Sequence, residues 1–265
     1  MEWYTMSDLK RPSQLLLGCA FCLLIQSLLP TSRAAAAGPF LPGEKATYQV
    51  RWSFVVGGQV AIAVEKNEAF DNQDAWHFSL SAKTLPYVDV FYKVRERIDS
   101  YADKGMHHSL FYGKVEKGKN RRDVKVVFDW RKREASFRNF DEKPRIIKLE
   151  AGTFDPLSAY FYLRGQDLDH RDSITRPVTD GKMLVLGTAK ILRRERVIVP
   201  AGRFDTYVVE PDMKKVQGVF EKSKDARLLV WLTADSRHLL VKAESKVVIG
   251  AIVAELTSLS GTAAP

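Results

Sequence analysis

The residues from Phe154 to Gly165 form the one strongly punctuated helix in a chain that otherwise alternates like strands. Asp155 is a good N-cap. Pro156 suits the first helical position because its missing N–H would be unpaired there, and Gly165 can take the left-handed conformation that closes a helix. Between the caps only Ser158 and Arg164 are clearly polar. A helix of under three turns is marginal in water, so this one requires burial on several sides. Sheet is the only material the chain offers to bury it.

Ala46, Tyr48, Val50, Trp52 and Phe54 alternate with polar residues, the pattern of a half-buried strand. Gly57-Gly58 reads as a two-residue hairpin turn, with Val60, Ile62 and Val64 resuming beyond it. Trp76, Phe78 and Leu80 give a third strand ending near Pro86, and Val88, Val90, Tyr92, Val94 and Ile98 share one face of a fourth. A basic hairpin follows, turning at Lys117-Gly118-Lys119-Asn120 and returning through Val124, Val126, Phe128 and Trp130. Shorter strands near Ala135 and Ile146 lead to the helix. Gln166 to Thr179 is polar and rich in Asp and Arg, which predicts a loop, and strand patterns then recur from Met183 to Leu256. About a dozen strands around one short buried helix predict a mainly β fold, a curved antiparallel sheet or open barrel. Residues 38–258 form a single β-rich domain on this reading, and 259–265 a frayed polar tail.

Residues 1–37 read as an export signal, with Lys10 and Arg11 ahead of an apolar run from Leu15 to Leu29 and cleavage expected within Ala34–Ala37. The run of about 15 residues falls short of the roughly 20 that a spanning helix needs, so no transmembrane span is expected in the mature chain. Both cysteines, Cys19 and Cys22, lie inside the signal. Disulfides, thiolate metal sites and a cysteine nucleophile are thereby removed from the mature chain. Only three leucines precede Cys19, so lipoprotein anchoring is not expected. The full chain carries +9; losing three basic and two acidic residues with the signal leaves about +8. Outside the cytoplasm such a balance serves solubility and attracts lipid head groups, lipopolysaccharide or acidic glycans rather than nucleic acid.

Tyr160 and Tyr162 offer an apolar body with a polar tip to a lipid or glycan, and Arg164 a charge for an anionic head group at a cavity mouth. The same helix also reads as a plug filling the sheet, with Arg164 serving the helix dipole. The densest positive feature is Lys114, Lys117, Lys119, Arg121, Arg122 and Lys125 on the middle hairpin, with Lys117, Lys119, Arg121 and Arg122 as the candidate contact. It reads either as a contact for an anionic lipid, glycolipid or polymer, or as a solvated hairpin that discourages edge-to-edge aggregation. His107 and His108 point to opposite faces of a strand, so no metal site is expected. No cofactor motif, Gly-x-Ser-x-Gly elbow or phosphate loop is present. Glu44, Asp155, Asp235 and Glu255 are the candidate carboxylates for glycoside cleavage, but Asp155 is a cap, Asp235 sits in a turn, and the other two lie near strand ends. The expectation is a non-enzymatic protein of the periplasm or cell envelope that binds an anionic or amphipathic envelope component. An assembly partner of another envelope protein is the second reading, and a glycan-acting enzyme the third.

Five elements occur in order: Gly43-Glu44 with Tyr48, Val50 and Trp52; Asp155-Pro156-Leu157-Ser158 running to Leu163-Arg164; Ala201-Gly202-Arg203-Phe204; Trp231-Leu232-Thr233-Ala234-Asp235; and Ile249-Gly250 running to Glu255-Leu256. Together they resemble the bacterial family known as domain of unknown function 3108. The resemblance covers nearly all of the mature chain and implies a secreted or periplasmic β-rich protein of Gram-negative-type bacteria; it brings no activity, cofactor or catalytic residue. A looser similarity of plan links the chain to periplasmic lipoprotein carriers, whose curved sheets hold an apolar ligand under helices, and this is analogy of fold alone.

Overall fold

The computed structural model describes residues 39–66, 68–118, 121–212, 227–246 and 250–261. The expected export signal lies outside the described residues. The first half of the chain runs through β1 (Lys45–Trp52), β2 (Val55–Val64), β3 (Glu68–Phe70), β4 (Gln73–Thr84), a one-turn helix α1 (Pro86–Asp89), β5 (Arg95–Asp103) and β6 (Ser109–Glu116). It continues through β7 (Arg122–Asp129), β8 (Glu134–Asn139) and β9 (Arg145–Lys148) to the helix α2 (Pro156–Arg164). The second half comprises β10 (Ser173–Thr179), β11 (Leu184–Val199), β12 (Gly202–Pro211), β13 (Leu228–Thr233), β14 (Leu240–Lys246) and β15 (Ala251–Ser260).

These strands form one antiparallel sheet ordered β10-β11-β12-β13-β14-β15-β1-β2-β4-β5-β6-β7-β8-β9, with the short β3 on β4. Two meanders, one from each half of the chain, meet where β15 pairs with β1 from Lys45↔Ser260 to Trp52↔Ile252. The sheet curves around α2 but is not closed into a barrel, since its end strands β9 and β10 do not pair. The gap is bridged by the chain entering α2: Phe154 makes a parallel bridge with Val178 of β10, while Ser109 N–H of β6 donates to Thr153 O at 3.1 Å. The turn after β10 packs across the same gap. Gly181, at φ +89°, lies so near β7 and β8 that a Cβ there would fall 2.6 Å from Val126 and 2.8 Å from Phe137, so only glycine fits.

Burial of α2 on several sides is what the structure displays. Leu157 and Phe161 join Tyr48, Ile62, Val64, Phe78, Val241 and Leu256 in one cluster, and Leu163 joins Ile174, Tyr207, Val209 and Leu232 in another. Phe161 stacks on Phe78 with ring centroids 3.7 Å apart.

Several local expectations are corrected. The first hairpin turns at Ser53-Phe54, with Ser53 at φ +53°, and Gly57 and Gly58 lie within β2. Gly58 is instead a close-approach site, where a Cβ would sit 2.9 Å from Lys83 O of β4. Val88 to Tyr92 do not extend a strand: Pro86 starts the α1 turn, whose Val88 and Asp89 amides both donate to Leu85 O. The polar stretch expected as a loop contains β10, an edge strand that tolerates Pro177. Gly165 does not take a left-handed conformation (φ −83°). A tight final turn, with Gly165 N–H donating to Tyr162 O and Gln166 N–H to Leu163 O, ends the helix instead. The tail begins later than expected, because β15 pairs with β1 as far as Ser260.

Candidate functional site

The polar residues of α2 are committed to the fold. Asp155 is buried, and one oxygen accepts from the Leu157 and Ser158 amides at 2.9 and 3.0 Å. The other accepts from the Ser100 and Ser109 hydroxyls at 2.7 and 2.6 Å, tying the cap to β5 and β6. Burial pushes this carboxyl above its ordinary value, opposed by those hydrogen bonds. At the other end Arg164, 1% exposed, forms a 2.6 Å ion pair with Glu44, itself 5% exposed. It also donates to Pro39 O at 2.7 Å and Arg237 O at 3.0 Å, and His238 Nδ1 donates to its carbonyl at 2.8 Å. A guanidinium so enclosed does not reach a cavity mouth, so the head-group role expected of Arg164 has no geometric basis. The signal that α2 is also pinned by Glu44 was the early Gly43-Glu44, some 120 residues away in sequence.

Tyr160 and Tyr162 diverge. Leu240 N–H donates to Tyr160 Oη at 3.3 Å, and Tyr48 Oη donates to Leu240 O at 2.9 Å, so two tyrosines bracket one residue of β14. Burial pushes the Tyr160 phenol upward. Tyr162 instead faces β10, accepting a hydrogen bond from Arg176, whose guanidinium also sits 4.5 Å from the ring. Tyr162 lines a pocket of about 430 Å³ with Phe40, Trp76, Lys104 and Met106 around it.

The cations of the middle hairpin are dispersed. Lys119 lies outside the described residues. Arg122 shares the inward face with Val124 and approaches Glu116 at 3.9 Å, and Arg121 is exposed at the strand start. Lys117 belongs to a different constellation. It lines an open groove of about 650 Å³ on the outer face of β1, β2, β4, β5 and β6, rimmed also by Lys45, Lys83, Arg95 and Arg97. Thr47, Ala61 and Ser81 make a floor low enough to leave the concavity.

Register builds this rim. Lys83 of β4 lies opposite Arg95 of β5, and Lys117 N–H donates to Arg95 O at 2.7 Å, so three cations stand in a row across neighbouring strands. Like charges directly opposite one another oppose sheet formation. Asp89 answers one of them: it binds Arg95 with Nη1 at 3.0 Å and Nη2 at 2.5 Å, and these contacts with the Thr84 hydroxyl hold its carboxyl below the ordinary value. Arg97 is answered by Asp99 at 2.7 Å. Lys45, Lys83 and Lys117 have no carboxylate partner among the described residues. Lys83, Lys45 and Arg95 were invisible as a site in sequence because only cross-strand pairing assembles them; outward alternation of each was the available signal.

Beside the rim stands an apolar tip. The β1–β2 turn exposes Trp52, Phe54 (95%) and Val55, and the segment at α1 exposes Tyr87, Val90 (77%), Phe91 (85%) and Tyr92. Leu85 N–H donates to Gly57 O at 2.9 Å and Tyr87 Oη donates to Val56 O, so the two loops form one unit. The four carboxylates considered for glycan cleavage are each engaged separately: Glu44 by Arg164, Asp155 by its serines, Asp235 by Arg237, and Glu255 by Arg51 at 2.9 Å.

The profile of the family described as protein of unknown function (DUF3108) matches residues 47–257. The chain belongs to this family, as the ordered elements in its sequence implied. Among curated proteins none matches. Its fold is similar to that of a β-barrel-like protein of domain of unknown function DUF1849 from Brucella abortus, at 10% identity and TM-score 0.54, covering 83% of this chain and 98% of that one. A candidate exported protein with a YmcC-like fold from Bacteroides fragilis aligns at 10% identity and TM-score 0.38, over 84% of this chain and 98% of that one. A candidate lipoprotein from Parabacteroides distasonis does so at 13% and 0.34, over 84% and 98%. Among the described residues no helix is long and apolar enough to cross a membrane.

Proposed function

We propose that this is a non-enzymatic protein of the periplasmic cell envelope whose outer-face groove binds the anionic part of an amphipathic envelope component, a lipid or glycolipid. The observation that carries the reading is the rim of Lys45, Lys83 and Lys117, three cations without carboxylate partners around a groove of about 650 Å³. A volume of that size suits a head group rather than a single ion. An anion placed among them would relieve the repulsion along the Lys83–Arg95–Lys117 row and gain charge-assisted hydrogen bonds. The test is binding of a phosphorylated glycolipid presented in neutral detergent micelles. Lys83→Glu with Lys117→Glu should abolish it; unchanged binding would remove the groove as the contact. The second reading, an assembly partner of another envelope protein, is favoured by the exposed rings at Phe54 and Phe91. Cross-linking in intact cells separates the two.

A further inference from the structure

We infer that the tip formed by the β1–β2 turn and the α1 segment is a membrane-docking element that enters the interface of an anionic phospholipid leaflet. Phe54, Val90 and Phe91 are the most exposed large apolar side chains of the described residues, and they project from two loops that hydrogen bonds fasten together. Large apolar side chains held out in this way are uncommon on a surface that meets only water. Trp52, Tyr87 and Tyr92 surround them, the residue types whose apolar rings and polar tips suit the head-group level of a bilayer. The backbone is built to hold them out. Tyr87 is anchored to Val56 O, and Asp89 is clamped by Arg95 and Thr84, which fixes the α1 segment against β2, β4 and β5.

Charge chooses the partner. Lys83 precedes the α1 segment and Lys93 follows it, while Gly118, the neighbour of Lys117, packs against the Lys93 carbonyl. None of these three lysines lies within ion-pair distance of a carboxylate among the described residues; the local acid Asp89 is bonded to Arg95 and attracts Lys93 only from farther off. An apolar core with a collar of lysines outside any ion pair matches a bilayer surface bearing phosphate charge. A protein partner with an apolar socket would be an outcome of the test rather than its expectation.

The experiment is partition of the purified protein onto phosphatidylglycerol-containing vesicles and onto phosphatidylcholine vesicles, with fluorescence quenching by lipids brominated near the head group. The wild type should bind the anionic vesicles and be quenched, and Trp52→Phe should remove most of the quenching. Phe54→Ser with Phe91→Ser should weaken partition at least tenfold while leaving the thermal unfolding midpoint unchanged. Absence of wild-type binding, equal binding to both vesicles, or partition that survives the double substitution overturns the inference. The quenching arm stands even where the double variant folds poorly. The inference is separable from the groove reading: Lys45 begins β1 and Trp52 ends it, about 23 Å apart at strand spacing. Lys45→Glu should therefore weaken glycolipid binding in micelles without changing the vesicle quenching. The reverse pattern in Phe54→Ser with Phe91→Ser completes the separation.

Discussion

The helix buried inside the sheet and the outer face of β4 to β6 both carry charge, yet they treat it oppositely. Around α2 every ionic or polar side chain singled out has a partner: Arg164 has Glu44 and two carbonyls, Asp155 has two amides and two hydroxyls. On the outer face Lys83 and Lys117 flank Arg95 with one carboxylate, Asp89, among the three. Buried charge without a partner is too costly to persist, so its pairing reflects folding and says nothing of ligands. Solvated charge can be left unbalanced at little cost, and where it rims a groove beside exposed rings it is available for a partner. The difference directs function away from the helix and towards the outer face.

That contrast can be broken from the inside first. Glu44→Ala should leave Arg164 buried and unpaired and cost about 3–5 kcal/mol, read as a lower midpoint in thermal or denaturant unfolding. Replacing Glu44 and Arg164 together by methionine should recover most of the loss, and a double variant as unstable as the single one would contradict the pairing argument. Asp155→Ala comes next. It strands two amides at the start of α2 and takes the carboxylate acceptor from two serine hydroxyls, which keep their bonds to Ser158 and to the amide of residue 155, for about 2–4 kcal/mol. Neither variant should alter glycolipid binding by the fraction that remains folded.

Outside, the same measurements should move in the other direction. Lys83→Glu with Lys117→Glu is expected to leave stability unchanged or raise it by about 0.2–1 kcal/mol, because it relieves like-charge neighbours, while glycolipid binding is lost. A large destabilisation would mean that the row is structural after all. The smallest effect concerns pH. Arg95 and Thr84 hold Asp89 below its ordinary value, so its contribution is complete above the unfolded carboxylate value near 3.9 and is lost as pH falls through the lower folded value. Protection of the Val88 and Asp89 amides, taken against their intrinsic exchange rates, should fall over that acid window, and Asp89→Asn should show the lower protection already at neutral pH.

The sequence foretold what local chemistry decides. The N-cap of α2 was legible because Asp155 and the amides that it accepts from lie within three residues, and burial on all sides followed from a short helix with almost no polar face. Its C-terminus was not legible, because Gln166 and the distant His238 satisfy the last carbonyls and leave Gly165 no need of a left-handed turn. The Val88–Val94 alternation imitated a strand that Pro86 pre-empts, and β10 hid behind the polar composition that an edge strand tolerates. Arg164 looked like a ligand contact because its partner Glu44 is remote in sequence. The groove stayed hidden for the converse reason, since Lys83, Arg95 and Lys117 become neighbours only through the register of three strands.

The most direct test is native mass spectrometry of the protein purified from its own cells, comparing the wild type with a variant carrying Lys45→Glu, Lys83→Glu and Lys117→Glu, followed by identification of whatever accompanies each. A reproducible anionic lipid or glycolipid on the wild type and none on the variant is the predicted result. A clean mass for the wild type, or the same adduct on both, would contradict the outer groove as the working surface.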